Sequence, residues 1–346
     1  MQYSQLLALA GCVTGSLAAY EVVQEYTSEN FFSEFTLFTE ADPTNGFVTY
    51  VDQATAEAEG LISTENNAIY MGVDYANTVT DGGRHSVRVS SNAAWDQGLI
   101  IGDIQHMPGS ICGTWPAFWT VGPDWPNNGE IDIIEGVHDQ PANAVALHTA
   151  ENCRITDNGN FLGEIKTPDC FVEAPDQDNN AGCGIGSNDT TSYGDGFNQV
   201  EGGVYAAEIT SEAVSVWWFP RASIPADITA GTPDPSTWST PMAQFQGECD
   251  IPSKIQQQSI IFDTTFCGDW AGSVWDVTPT CASKADSCEA YVADNPADFE
   301  DAYWLVNSIH VYVDGGNATL STRDESQSLK RHASHHRANL HGRHHL

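Results

Sequence analysis

Positive charge is scarce in this chain. Twelve lysines and arginines stand against 47 aspartates and glutamates in 346 residues, a formal charge of −35, which argues against nucleic acid or an anionic membrane as partner. A neutral polymer would not be repelled. Long apolar runs are scarce too. The stretch from Leu6 to Val13 is short and Gly11, Thr14, Gly15 and Ser16 interrupt it, so no membrane-spanning helix is expected. The histidine-rich carboxyl end lacks the hydrophobic stretch of a lipid-anchor signal, so no membrane anchor is expected either. There is no Cys-x2-Cys pair of the zinc kind, no Gly-x-Ser-x-Gly elbow, no nucleotide-binding loop and no carboxylate-rich loop spaced for calcium. No cofactor and no metal are therefore expected. Long helical periodicity is missing as well.

What is present reads as strands. Residues 61–73, 85–90, 98–104, 143–149, 203–219, 258–262 and 306–313 are rich in β-branched and aromatic side chains, with glycine, asparagine or aspartate between them. Several short strands at such intervals predict an all-β sandwich of two sheets, and 346 residues need hold no more than one such domain. Residues 1–18 read as a secretory signal, with small residues Ser16 and Ala18 where a signal peptidase would cut. Cys12 falls inside it. Eight cysteines remain, Cys112, Cys153, Cys170, Cys183, Cys249, Cys267, Cys281 and Cys288, an even set that allows four disulfides in any of 105 pairings and fits an oxidising compartment. The sequence separations of Cys281/Cys288 and Cys170/Cys183 are the shortest. The loop from about 151 to 199 is longer than structureless loops usually run, and Cys153, Cys170 and Cys183 within it should hold it down, at least one through a partner elsewhere. Asn188 and Asn317 open glycosylation sequons. Residues 323–346 hold six of the eleven histidines with almost no apolar content, so a disordered tail is expected.

The segment that carries chemistry is Gly129-Glu-Ile-Asp-Ile-Ile-Glu-Gly136. Side chains alternate along a strand, so Glu130 and Asp132 share a face, whereas Glu135 falls on the other one. A bulged extra residue at Ile133 or Ile134 would bring Glu135 back. The two glutamates would then lie four ladder positions apart, roughly 13 Å between backbones, and their carboxyls could lean to about 5 Å, the separation of a retaining glycosidase. A solvated acidic edge strand is the alternative, but Ile131, Ile133 and Ile134 want a buried opposite face. Trp115, Trp119 and Trp125 precede this strand, and sugars present apolar faces that stack on such rings. These three are placed in a cleft, with core packing the rival reading for at least one, and Phe118 as the better core residue.

The stretch Cys112-Gly-Thr-Trp-Pro-Ala-Phe-Trp-Thr-Val-Gly-Pro-Asp-Trp-Pro-Asn-Asn-Gly-Glu-Ile-Asp-Ile-Ile-Glu-Gly-Val137 resembles the active-site region of glycoside hydrolase family 16, in its fungal endo-1,3(4)-β-glucanase or laminarinase-like branch. Asp42–Asp52, Ser86–Ser90, Leu147–Thr149, Cys267–Gly272 and Tyr303–Ser308 resemble the same branch. The resemblance spans roughly residues 30–315 and implies a catalytic domain over 19–322, folded as a β-jelly roll of two curved antiparallel sheets with a concave substrate cleft. It implies a secreted, monomeric enzyme that cuts β-1,3- or mixed β-1,3/1,4-glucan by retaining double displacement, with Glu130 as nucleophile and Glu135 as general acid/base; Asp132, on the same face between them, is placed where it could hydrogen-bond Glu130. His148, Trp270 and Arg88 resemble further residues of the family's cleft, although Arg88 could equally make a surface ion pair. One departure is Val137-His138-Asp139, where asparagine is expected at the first polar position. A cell-wall transglycosylase and a non-catalytic glucan lectin are the other classes this sequence admits; loss of one glutamate would mark the lectin, and neither is lost.

Overall fold

The computed structural model describes residues 20–315 together with 321 and 322. The expected leader at 1–18, the Asn317 sequon and the histidine-rich tail lie outside the described residues.

Two eight-stranded sheets are stacked on each other. The front sheet runs Glu164–Thr167, Cys183–Gly186, Ala144–His148, Glu130–Glu135, Thr114–Val121, Ser259–Phe266, Arg88–Ser91, Phe35–Leu37. In the back sheet the order is Ala243–Phe245, Val214–Pro220, Gly203–Ile209, Gly98–His106, Trp304–Asp314, Ile69–Met71, Ile62–Ser63, with Tyr20–Tyr26 added along Trp304–Asp314. The front-sheet pairs are antiparallel, and so are those of the back sheet. Helices are short, the longest being Cys288–Asp294. This is the expected all-β sandwich of two antiparallel sheets.

Between the sheets lies one apolar core. Ile131, Ile133, Ile134, Val145, Leu147, Phe118 and Phe262 point into it from the front sheet, meeting Ile100, Ile104, Tyr205, Trp304 and Val306 from the back. Phe118 stacks on Phe262 with centroids 4.4 Å apart. Because the isoleucines of the acidic strand fill this core, its carboxylates are held on the other face of the same sheet.

A satellite core beside the front sheet gathers Phe266, Trp275, Tyr291, Val292 and Phe299. Two disulfides staple it, Cys112–Cys281 and Cys267–Cys288. Cys153–Cys249 and Cys170–Cys183 tie down the long loop, so Cys153 is the member that finds its partner elsewhere. Of the two shortest-range pairs only Cys170/Cys183 is bonded. Cys281 and Cys288 sit on different helices, Pro279–Ala282 and Cys288–Asp294, and each reaches a different strand end.

Some strand limits differ from the sequence reading. The run 203–219 is a hairpin that turns at Thr210–Ala213, where the Thr210 N–H donates to Ala213 O at 3.0 Å. The run 258–262 continues to Phe266, which matters below. Tyr20–Tyr26 forms an unforeseen strand whose register slips between Val22 and Gln24, so its side chains do not alternate cleanly.

Candidate active site

The acidic strand pairs with Thr114–Val121, and the register gives Val121 opposite Glu130, Trp119 opposite Asp132, Phe118 opposite Ile134 and Ala117 opposite Glu135. Ile133 is the extra residue. The bulge is where parity requires it, and Ile133 and Ile134 are both buried, at 1 % and 0 % exposure. Glu130, Asp132 and Glu135 therefore share the face that carries Ala117, Trp119 and Val121. Gly129 leads into the strand with φ +71°, and a Cβ there would lie 2.5 Å from Lys254 O, so only glycine permits this entry.

Each neighbouring strand adds a group to that face. His148 stands opposite Glu130 and its Nε2 lies 3.2 Å from an Asp132 carboxyl oxygen, while Nδ1 faces Asn180 Oδ1 at 3.2 Å. Asp132 thus faces His148, and its carboxyl lies within 4.8 Å of a Glu130 carboxyl oxygen. Arg88 is buried, which removes the surface-ion-pair reading. Its guanidinium lies 4.7 Å from the Trp119 ring centroid and 4.8 Å from that of Phe38.

The tryptophans divide by role. Trp115 donates its indole N–H to Glu135 Oε1 at 2.8 Å, and Trp270, carried by the satellite core, meets it edge to face at 5.6 Å. Trp125 packs on Ala117, Trp119, Val121 and Ile261, after which the chain turns through the cis bond to Pro126. Trp119 is 7 % exposed and gives its N–H to Asp263 at 2.9 Å, so it builds the floor and offers a sugar little ring face.

Asp263 is a site residue that the sequence reading missed. It is opposite Ala117 and Arg88 in register, accepts from Tyr50 OH at 2.7 Å as well as from Trp119, and is buried at 7 % exposure. The signal was the strand itself, which continues past residue 262 in strict alternation and sets Asp263 on the carboxylate face. His138 explains the departure at 137–139. Its φ is +57°, a left-handed position that asparagine tolerates well, and here the buried ring accepts from Gly113 N–H at 2.9 Å and stands against Trp275.

Electrostatics follow from this crowding. Burial, then the Asp132 charge, push Glu130 and Glu135 up to about 8, and burial followed by Asp263 does the same to Asp132. Against this, His148 and Arg88 favour ionised Glu130, whereas the Trp115 N–H and His148 favour ionised Glu135. Burial lifts Asp263 to about 6, with Arg88, Tyr50 and Trp119 opposing. The protons belong to the cluster, since neighbours this close cannot all ionise together. Glu130, Asp132 and His148 bring donor atoms within 4.8 Å of one another, a set that could also ligate a cation.

Two carboxyls thus share one face of the sheet, one with an arginine in its field and the other under a tryptophan N–H. The family model of the XgeA-like, catalytic GH16 domain matches residues 35–312. The chain belongs to glycoside hydrolase family 16. Among curated relatives, the endo-1,3(4)-β-glucanase of Arthroderma benhamiae is 46 % identical over 91 % of this chain and 69 % of its own length. The endo-1,3(4)-β-glucanase xgeA of Emericella nidulans is 48 % identical over 87 % of this chain and 48 % of its own. The chain thus spans about two thirds of one relative and about half of the other. Among solved structures, laminarinase 16A of Phanerochaete chrysosporium, holding 6-O-glucosyl-laminaritriose in donor and acceptor sites, matches with TM-score 0.81 and 40 % identity, covering 86 % of this chain and all of that one. An elongating family 16 β-1,3-glucosyltransferase matches with TM-score 0.80 and 44 % identity, covering 85 % and 100 %.

Proposed function

We propose that this family 16 chain is an endo-acting β-glucanase that hydrolyses β-1,3- or mixed β-1,3/1,4-glucan with retention. The observation that carries the reading is the bulge at Ile133, which sets Glu130 and Glu135 on one face four ladder positions apart, with Asp132 between. Glu130 is the nucleophile. Arg88 and His148 favour its charge, and it attacks the anomeric carbon. Glu135 is the acid/base. Burial and Asp132 push both glutamates toward the neutral form, and Arg88 opposes this at Glu130 alone, so the proton rests on Glu135, which gives it to the departing glycosidic oxygen as the Glu130–sugar bond forms. Water then loses a proton to Glu135 and attacks the same carbon, releasing Glu130 and the sugar with its original anomeric configuration. Trp115 aims the Glu135 carboxyl through its N–H and, with Trp125 and Trp270, offers rings to the glucan.

Four disulfides favour an oxidising compartment and a secreted protein, and no described helix is long and apolar enough to cross a membrane. We expect a monomer. The test is release of reducing ends from a soluble β-1,3-glucan and a mixed-linkage β-glucan, with Glu130→Gln as control. Cleavage by the native chain alone supports the reading, and the ratio of the two rates gives the linkage preference; binding without cleavage by both would make this a glucan lectin. The likeness to an elongating β-1,3-glucosyltransferase favours a second reading, in which a glucan acceptor replaces water at the same intermediate. Products longer than the starting laminari-oligosaccharide, seen by chromatography, would select it.

A further inference from the structure

We propose that Asn143 positions the general acid/base by standing in for a missing strand. The strand Glu130–Glu135 has a neighbour on each side, but the two ladders differ in length. With Ala144–His148 pairing stops after Asp132 opposite Ala146, whereas with Thr114–Val121 it continues past the bulge to Glu135. Beyond Asp132, that edge of the strand has no further partner in register among the described strands. The Asn143 side chain fills that gap: Nδ2 donates to Ile133 O at 2.8 Å and Oδ1 accepts from Glu135 N–H at 2.9 Å. One amide supplies the donor and acceptor that a strand peptide would supply, and it spans the residues on either side of Ile134.

Asn143 is itself held firmly. It is 1 % exposed; its N–H donates to Ser192 Oγ at 3.0 Å and its carbonyl accepts from Ser187 N–H at 2.9 Å. Ser192 is fixed in turn, giving its hydroxyl to Asp189 O at 2.6 Å and accepting Tyr205 OH at its carbonyl at 2.5 Å. On the other side of Glu135, a Cβ on Gly136 would meet the Tyr193 ring at 2.8 Å, so the backbone has little room to shift. Among the described residues Trp115 is the one donor to the Glu135 carboxyl, whose direction depends on where this backbone is pinned. A strand can bulge freely at a sheet edge; Asn143 fixes the bulge in the one shape that returns Glu135 to the Glu130 face. The two bonds need an amide, since ionised aspartate lacks the donor and serine lacks the second atom.

This rests on Glu135 being the acid/base, and the test separates the two ideas. The substrates are a β-1,3-glucan, whose poor leaving group needs the acid, and a dinitrophenyl laminari-oligosaccharide, whose leaving group does not. For Asn143→Ala, kcat/KM on the glucan should fall at least about 10-fold, part of the roughly 10²–10⁴ that a placed acid contributes, while kcat/KM on the aryl substrate stays within about 3-fold. Azide, which needs no base, should raise kcat of this variant on the aryl substrate. Asn143→Asp guards against loss of fold in the alanine variant. Its neutral carboxyl regains a donor, so its activity on glucan relative to the native chain should recover as pH falls. Equal loss on both substrates, or no loss on either, overturns the role of Asn143. If Glu135→Ala leaves the glucan rate intact while the native chain is active, the acid/base reading itself fails.

Discussion

The front sheet presents two faces made by the same strands, and they are built to opposite rules. Toward the core, Ile131, Ile133, Ile134, Leu147, Phe118 and Phe262 are buried and uncharged. Toward the cleft, the same strands present Glu130, Asp132, Glu135, His148, Asp263 and Arg88 within a few side chains of one another. The first face gains from every apolar contact; the second keeps carboxyls that burial pushes toward the neutral form. The lesson is that stability and chemistry are separated across one sheet's thickness, with the bulge at Ile133 as the point where they are coupled. An extra core residue there is what turns Glu135 to the cleft.

If that separation holds, damage on one face should leave the other's property intact. Exchanging Glu130 for alanine should lower kcat by about 10⁴-fold or more, with azide restoring turnover as the inverted glycosyl azide and with a melting temperature no lower than that of the native chain. On the other face, Phe118→Ala removes a ring that is 0 % exposed and should cost about 3–5 kcal/mol of stability. Its specific activity should stay near native at a temperature where it remains folded, and a large kcat loss there would break the comparison. Asp263→Asn keeps an acceptor for Tyr50 and Trp119 but removes a charge that raises Asp132. The alkaline limb of kcat/KM should move down in pH, with a rate loss of about 10-fold or less.

A smaller and subtler effect concerns stability against pH. Asp132 in the folded chain holds its proton up to about 8, far above the ordinary aspartate value, so the folded state binds a proton that the unfolded chain has already lost. Stability should therefore be greatest below the ordinary value and decline as pH rises toward 8. Asp132→Asn removes the share of this slope that Asp132 contributes, leaving that of Glu130 and Glu135, and its melting temperature should exceed the native one by about 2–6 °C near pH 8 and match it near pH 4. A difference independent of pH would mean that Asp132 is not held neutral.

How much of this is legible in the sequence depends on how local the determinant is. The bulge and the common face of Glu130, Asp132 and Glu135 are legible because parity is a property of six consecutive residues and the isoleucines report the buried side. The Cys170–Cys183 disulfide is local too, but the still shorter pair Cys281/Cys288 is not bonded, so separation alone does not give the pairing. Asn143 is not legible, since its value depends on where a second strand leaves the ladder, and nothing in Pro141-Ala-Asn143 announces that. Asp263 was lost to a strand limit drawn too early, though alternation through Thr264 and Thr265 would have carried it. The edge strand Tyr20–Tyr26 hides its periodicity behind its own register slip. Trp119 reads as a sugar platform from composition and becomes a floor only when Asp263 and Arg88 are placed around it.

The central claim, that Glu130 attacks sugar while Glu135 moves the proton, is tested most directly by trapping the intermediate. A 2-deoxy-2-fluoro laminari-oligosaccharide with a dinitrophenyl leaving group slows the second step, so the sugar should remain attached to the protein. Mass mapping of the digested protein should find that label on Glu130 and nowhere else. A label on Glu135 would reverse the two roles, and an active enzyme that never becomes labelled would contradict the double displacement.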